Sequence, residues 1–162
     1  MKRVTTLNIN GEDHEIAIDQ GDTLLRVLRD EIGLLGPKRA CDSGACGCCT
    51  VQLDGKAVYA CMTYALSVGS RQVTTVEALS ADGTLVPLQQ AFIEAGAVQC
   101  GYCTSGMLMT AKQLIAEHDG SQPLDEDRIR EAISGNLCRC TGYHKMVSAI
   151  QNAAASRGDA RK

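Results

Sequence analysis

The sequence predicts an α+β chain whose first half is rich in strands and whose second half is helical. Three observations carry this expectation. Short runs with a strand period of two recur within residues 3–18 and 50–77. After Ser80-Ala81-Asp82-Gly83-Thr84 the period lengthens to about 3.6. Eight of the nine cysteines fall into two groups, one on each side of that change. The expected division is residues 1–79 and residues 80–162.

Residues 3–9 and 14–18 alternate around Asn10-Gly11, a dipeptide suited to a type I′ turn, and predict a first β-hairpin. Asp22 or Thr23 is placed to cap a helix from Leu24 to Glu31, whose buried side is Leu24, Leu25, Val27, Leu28 and Ile32; Gly33 ends it. From Gly36 to Cys49 small residues dominate, as a loop wrapped closely around an inorganic centre requires. Thr50–Leu53 and Lys56–Tyr59 form a second hairpin through Asp54-Gly55, with Cys61 delivered directly after it. Gln72–Glu77 is expected as a last strand. Two strands, a helix, a cysteine loop and three strands make a β-grasp order.

In the second half, Leu85, Leu88, Phe92 and Ile93 are expected on one face of a first helix. A second, Ser105–His118, presents Met107, Leu108, Ala111, Leu114 and Ile115. Gly120-Ser121-Gln122-Pro123 breaks it, and Asp125 or a neighbour caps a third that buries Ile129, Ala132 and Ile133. A fourth runs from about Tyr143 to Ala155. Short connections between four helices imply a four-helix bundle with cysteines at helix ends. The polar tail from Ser156 onward is expected to fray.

The cysteines carry the chemistry. Cys41-x4-Cys46-x2-Cys49, with Cys61 beyond it, has the ligand spacing of a plant-type 2Fe-2S ferredoxin, and Cys48 is left over. Backbone N–H groups in its glycine-containing loop are suited to stabilising sulfur charge. Downstream, Cys100-x2-Cys103 and Cys138-x-Cys140 bring four further thiolates to helix ends. On spacing alone that quartet suits structural zinc as well as iron, because tetrahedral sulfur ligation serves either, and Cys140-x3-His144 adds to the zinc side. Sites of this kind help stabilise cores of about 80 residues.

Both halves resemble the iron-sulfur subunit or domain of the molybdenum hydroxylases, the xanthine oxidase family, over nearly all of residues 3–155. The resemblance rests on Cys41-Asp42-Ser43-Gly44-Ala45-Cys46-Gly47-Cys48-Cys49-Thr50-Val51, on Gln99-Cys100-Gly101-Tyr102-Cys103-Thr104 and on Gly135-Asn136-Leu137-Cys138-Arg139-Cys140-Thr141-Gly142-Tyr143, in this order. As a separate short chain the protein resembles the small subunits of bacterial three-part enzymes of the carbon monoxide dehydrogenase, hydroxybenzoyl-CoA reductase and N-heterocycle hydroxylase types. The family implies that Cys41, Cys46, Cys49 and Cys61 hold a 2Fe-2S cluster nearer a flavin. It implies that Cys100, Cys103, Cys138 and Cys140 hold one nearer molybdenum, with Gln99 and Cys140 against the pterin. The implied function is relay of single electrons between a large molybdopterin-binding subunit and a medium FAD-binding subunit, in a dimer of heterotrimers. The chain departs from the pattern at Cys48, where alanine is usual, at Ser105, where proline is usual, and at Pro37 and Ala40.

Other classes are disfavoured. A net charge of −3 and an aromatic content of 3% provide neither a phosphate-tracking surface nor a base-stacking platform, so no nucleic acid partner is expected. No apolar run reaches the ~18 residues of a membrane span, and Met1–Thr6 leads into a strand pattern with no apolar signal segment. The cytoplasm is the expected compartment, where dense cysteine binds metal more often than it forms disulfides. His14 and His118 fall at polar positions expected to be exposed, and Met107 and Met109 read as core filling. Arg139, between two ligands, reads equally as a donor to a cluster or to a partner carboxylate. No Ser/His/Asp set, paired carboxylates or phosphate loop is present, so no catalytic residue is expected on this chain. A free-standing two-cluster ferredoxin and a zinc-binding structural module are the rival readings.

Overall fold

The computed structural model describes residues 2–159, with side chains to residue 156. Its first half is a five-stranded mixed sheet of order β2 (Glu12–Ile18), β1 (Arg3–Ile9), β5 (Val73–Thr74), β3 (Thr50–Leu53), β4 (Lys56–Tyr59), and its second half is a set of four helices packed on one another, of which the helix Thr104–Glu117 lies against β3 and β4. β1 (Arg3–Ile9) and β2 (Glu12–Ile18) pair antiparallel, with Ile9 opposite Glu12. The turn between them has two residues, Asn10 at φ 55° and Gly11 at φ 89°, the left-handed pair that a type I′ turn demands. The second hairpin, β3 (Thr50–Leu53) and β4 (Lys56–Tyr59), repeats the device at Asp54 and Gly55.

The fifth strand is shorter than the alternation predicts. β5 covers Val73–Thr74, parallel to β1 and antiparallel to β3, and a 3₁₀ segment follows over Val76–Ser80. Side chains stop the ladder. The Thr75 N–H donates to Asn10 Oδ1 at 2.8 Å, and Glu77 is turned back to accept from Gly36 N at 2.7 Å.

Thr23, not Asp22, caps the helix beneath the sheet by accepting from Arg26 N at 3.2 Å. That helix, α1, starts at Leu24–Arg26 and widens into π-helical turns over Val27–Glu31, buries Leu24, Leu25, Val27 and Leu28, and stops before Gly33 at φ 84°. With Leu7, Ile9, Ile18, Val51 and Val73 these side chains make the first core.

The helices are α2 (Pro87–Glu94), α3 (Thr104–Glu117), α4 (Glu126–Ile133) and α5 (His144–Asp159). Asp125 caps α4 as expected, through Arg128 N. On α2 the buried stripe is Leu88, Ala91 and Phe92, at spacings of three and four residues. Ile93, one step round the helix, is 57% exposed, and Leu85, ahead of the first turn, is 43% exposed, so the expected face was too wide. α5 continues past the expected end at Ala155, and residues 160–162 of the tail lie outside the described residues. His14 and His118 are half-buried instead of exposed, and His118 Nε2 meets Gln122 O at 2.8 Å.

Every residue of β3 is buried because it serves two cores. Val51 and Leu53 point into the first, while Thr50 and Gln52 meet the helical half. Gln52 donates to Met109 O at 3.0 Å and accepts from Lys112 Nζ at 2.9 Å, and Gln113 accepts from Ala57 N at 2.6 Å. Buried polar groups matched in this way fix the halves in one register, since a shift would leave each of them unsatisfied.

Candidate iron-sulfur centres

The first cysteine group lies on the loop before β3 and on the turn after β4. Cys41 stands beside Cys46, Cys49 beside Cys61, and Cys46 is close enough to Cys49 to act on it electrostatically. Asp42 at φ 51°, Gly44 at φ 73° and Gly47 at φ 68° bend the loop. Ser43 N–H points at Cys41 Sγ, 3.5 Å away, and is the main reason that this thiol is lowered to about 6. Burial pushes the Cys49 thiol the other way, to about 12. Met62, 62% exposed, lies over Gly44 on the outer side.

The second group closes from two helix junctions. Cys103 is the residue that opens α3, and Cys138 and Cys140 lie in the connection between α4 and α5. Cys140 Sγ is 3.6 Å from Cys100 Sγ, and Cys103 is beside Cys138. Two thiolates on one tetrahedral centre with bonds of about 2.3 Å sit about 3.8 Å apart, so the first pair already has the spacing of sulfurs sharing a metal. Cys100 and Cys140 are exposed whereas Cys103 is buried, which raises its thiol to about 12. Around the exposed pair lie Val98, Tyr102 and Leu137, 41%, 46% and 53% exposed.

These thiolates come in pairs. A zinc site needs its four ligands around one point, whereas a 2Fe-2S core takes two thiolates on each of two irons. The donor set therefore fits a binuclear cluster better than zinc. All nine cysteines are free, so none is diverted into a disulfide.

Residues 7–72 match the 2Fe-2S iron-sulfur cluster binding domain family, and residues 75–151 match the 2Fe-2S binding domain family. The chain is 45% identical over 154 residues to the nicotinate dehydrogenase small FeS subunit of Eubacterium barkeri, covering 94% of this chain and 96% of that one. The protein belongs to the iron-sulfur small subunits of the molybdenum hydroxylases. As such a subunit it carries two 2Fe-2S binding domains and acts in electron transfer within an oxidoreductase complex. The solved quinoline 2-oxidoreductase of Pseudomonas putida 86 superposes with a TM-score of 0.91 at 38% identity, over 98% of this chain and 97% of that one. Aldehyde oxidoreductase of Desulfovibrio gigas superposes with a TM-score of 0.90 at 36% identity, over 99% of this chain but 18% of that one, so there the same unit is one part of a much longer polypeptide.

Three features of this iron-sulfur subunit escaped the sequence reading. Asn136, 2% exposed, donates to Gly47 O at 2.9 Å and accepts from Thr110 Oγ1 at 2.8 Å, tying the second cysteine segment to the first cysteine loop. Leu137 N donates to Cys46 O at 2.8 Å, and Tyr102 Oη to Arg39 O at 2.5 Å. Gly47, Gly106 and Gly135 meet at this seam. A Cβ on Gly106 would run into Gly47 O, one on Gly47 into Gly135 O, and one on Gly135 into Tyr59 Oη. The signal available was the Gly135-Asn136 pair just before a cysteine, but nothing local names its partner 89 positions away.

Gln99 is exposed and makes no hydrogen bond to another described residue; α3 has no side-chain cap, so Gln99 is not a capping group. Arg139 is exposed. Cys48 is 6% exposed and packs into the helical core, whereas Cys49 packs into the sheet core. Adjacent side chains leave the chain on opposite sides, and burial, with Cys46 close by, raises the Cys48 thiol to about 12.

Proposed function

We propose that Cys41, Cys46, Cys49 and Cys61 hold one 2Fe-2S cluster, that Cys100, Cys103, Cys138 and Cys140 hold the other, and that the chain relays single electrons between a molybdopterin-binding subunit and an FAD-binding subunit. Each cluster, when bound, supplies a one-electron acceptor. The observation that carries the reading is the Leu137 N to Cys46 O hydrogen bond, 2.8 Å long. It joins a residue of the first quartet to the neighbour of Cys138, so the route between the quartets is backbone, one hydrogen bond and one peptide. The seam around it is closely packed, lined by Gly47, Thr50 and Asn136, all buried.

The two ends of that route face outward. Cys100 and Cys140, framed by Val98, Tyr102 and Leu137, offer a partly apolar surface suited to a protein partner, and the molybdopterin subunit is assigned to it. The Cys41 to Cys46 loop, under exposed Met62, is assigned to the flavin side. A free ferredoxin would have no use for apolar side chains framing both openings. The assembly is a dimer of heterotrimers of small, medium and large subunits, and the nine free thiols suit the cytoplasm. Among the described residues no helix is long and apolar enough to cross a membrane. The unit proposed for each cluster is residues 1–79 and residues 80–162.

Gln99 tests the assignment of the molybdenum side. Its amide both donates and accepts, as a pterin edge does, and it has no partner within this chain's described residues. In the intact complex, Gln99→Leu is expected to keep both clusters but weaken pterin contact by about 1 to 3 kcal/mol, the cost of an unsatisfied buried partner. Cluster reduction by substrate slows, while reduction by dithionite does not. Equal substrate-driven rates at full molybdenum content would remove Gln99 from the contact.

A further inference from the structure

Cys138 is enclosed by a closed ring of three hydrogen bonds. Its N–H donates to Tyr143 Oη at 2.8 Å, Tyr143 N–H donates to Thr141 Oγ1 at 3.2 Å, and Thr141 Oγ1 lies 3.1 Å from Cys138 Sγ. Since Thr141 Oγ1 already accepts from Tyr143 N, its own proton is left to point outward. The other sulfur within reach is Met146 Sδ at 3.6 Å, a neutral thioether and a weaker acceptor. The ring holds Tyr143 at φ 68°, a conformation that bulky residues rarely adopt, directly after Gly142 at φ 62°. Local preference does not produce this arrangement; the ring imposes it.

We propose that Thr141 is a potential-setting donor, its hydroxyl holding the Cys138 sulfur and raising the reduction potential of the second cluster independently of the first. Adding an electron to a 2Fe-2S centre increases negative charge on its sulfurs, and a fixed donor stabilises that charge more in the reduced state than in the oxidised one. The effect is confined to one centre, because Cys138 is the cysteine sulfur that the hydroxyl reaches. At Cys41 the first quartet uses a backbone donor, Ser43 N, which side-chain replacement leaves in place. Thr141 thus gives the protein a lever on the step between its two centres that does not alter a ligand.

The inference rests on Cys138 being a cluster ligand, and the two ideas fail separately. In the intact complex Cys138→Ser must abolish the second cluster's paramagnetic signal and so assign it; survival of both signals overturns the ligand reading itself. With the signals assigned, Thr141→Val is followed by potentiometry. The expected result is an approximately tenfold less favourable reduction of the second cluster, about 59 mV for a one-electron couple, with the first unchanged. Thr141→Ala must give the same lowering, and Thr141→Ser, which retains the hydroxyl, must restore the original value. An unchanged second potential in either hydroxyl-free variant, an equal shift in both clusters, or a serine variant as low as valine overturns the proposal. So does loss of the second cluster from both hydroxyl-free variants, because the hydroxyl would then be serving assembly.

Discussion

Replacing Gly106 by alanine is expected to push apart the two halves of the chain at the point where their cysteine segments meet. Gly106 lies in the first turn of α3, and its added methyl would run into Gly47 O, with the backbone of Cys48 next to it. Both neighbours are main chain, so neither moves out of the way as a flexible side chain would. Overpacking against such a wall costs about 3 kcal/mol at the upper end, and the better helix propensity of alanine returns about 1 kcal/mol. A net loss of about 2 kcal/mol is expected in the unfolding free energy. The functional loss is larger in kind, because the Leu137 to Cys46 hydrogen bond sits in the same seam. Denaturant unfolding, together with the magnetic interaction between the two reduced clusters, checks this. Wild-type stability with an unaltered interaction would show that the seam tolerates a methyl and that its close packing is incidental.

The second large effect separates two adjacent thiols. Cys46→Ser is expected to abolish the first cluster, while Cys48→Ala keeps both. Cys48 has the right element for iron and is buried, yet its side chain is packed into the helical core, whereas Cys46 stands beside Cys41 and Cys49 beside Cys61. Removing the Cys48 sulfur takes one atom from a packed site, and alanine fills most of what remains, so the cost is about 1 kcal/mol. Iron content and the visible spectrum of each variant decide the matter. Loss of the first cluster in Cys48→Ala, with retention in Cys49→Ala, would exchange the two ligands.

The sequence made much of the fold legible because the relevant signals are local. Asn10-Gly11 and Asp54-Gly55 each require positive φ at both residues, and few other structures accept that pair. Thr23 and Asp125 cap their own helices within three residues. The grouping of eight cysteines into two sets was legible for the same reason, since their spacing is written along the chain. The early end of β5 was not, because Asn10, 65 positions away, takes the N–H of Thr75. The exposure of Ile93 depends on which partner α2 faces, which is again a tertiary fact. At the site, Asn136, Gly106 and Tyr59 have meaning only once Gly47 and Gly135 are brought against them. The proposed cluster ligands are marked along the chain by their spacing; the residues that hold one cysteine segment in register with the other are not marked there.

On the proposed ligand sets the chain holds two different 2Fe-2S centres, one on a strand-and-loop scaffold and one between helix ends. Iron and acid-labile sulfide determination on the purified protein, with paramagnetic resonance after dithionite reduction, tests it most directly. Because the donors and exposure differ between the quartets, the expected result is two iron and two sulfide for each quartet and two resolved signals with separate potentials. Zinc in either quartet, or a single cluster signal from a protein with its full cysteine complement, would contradict the account.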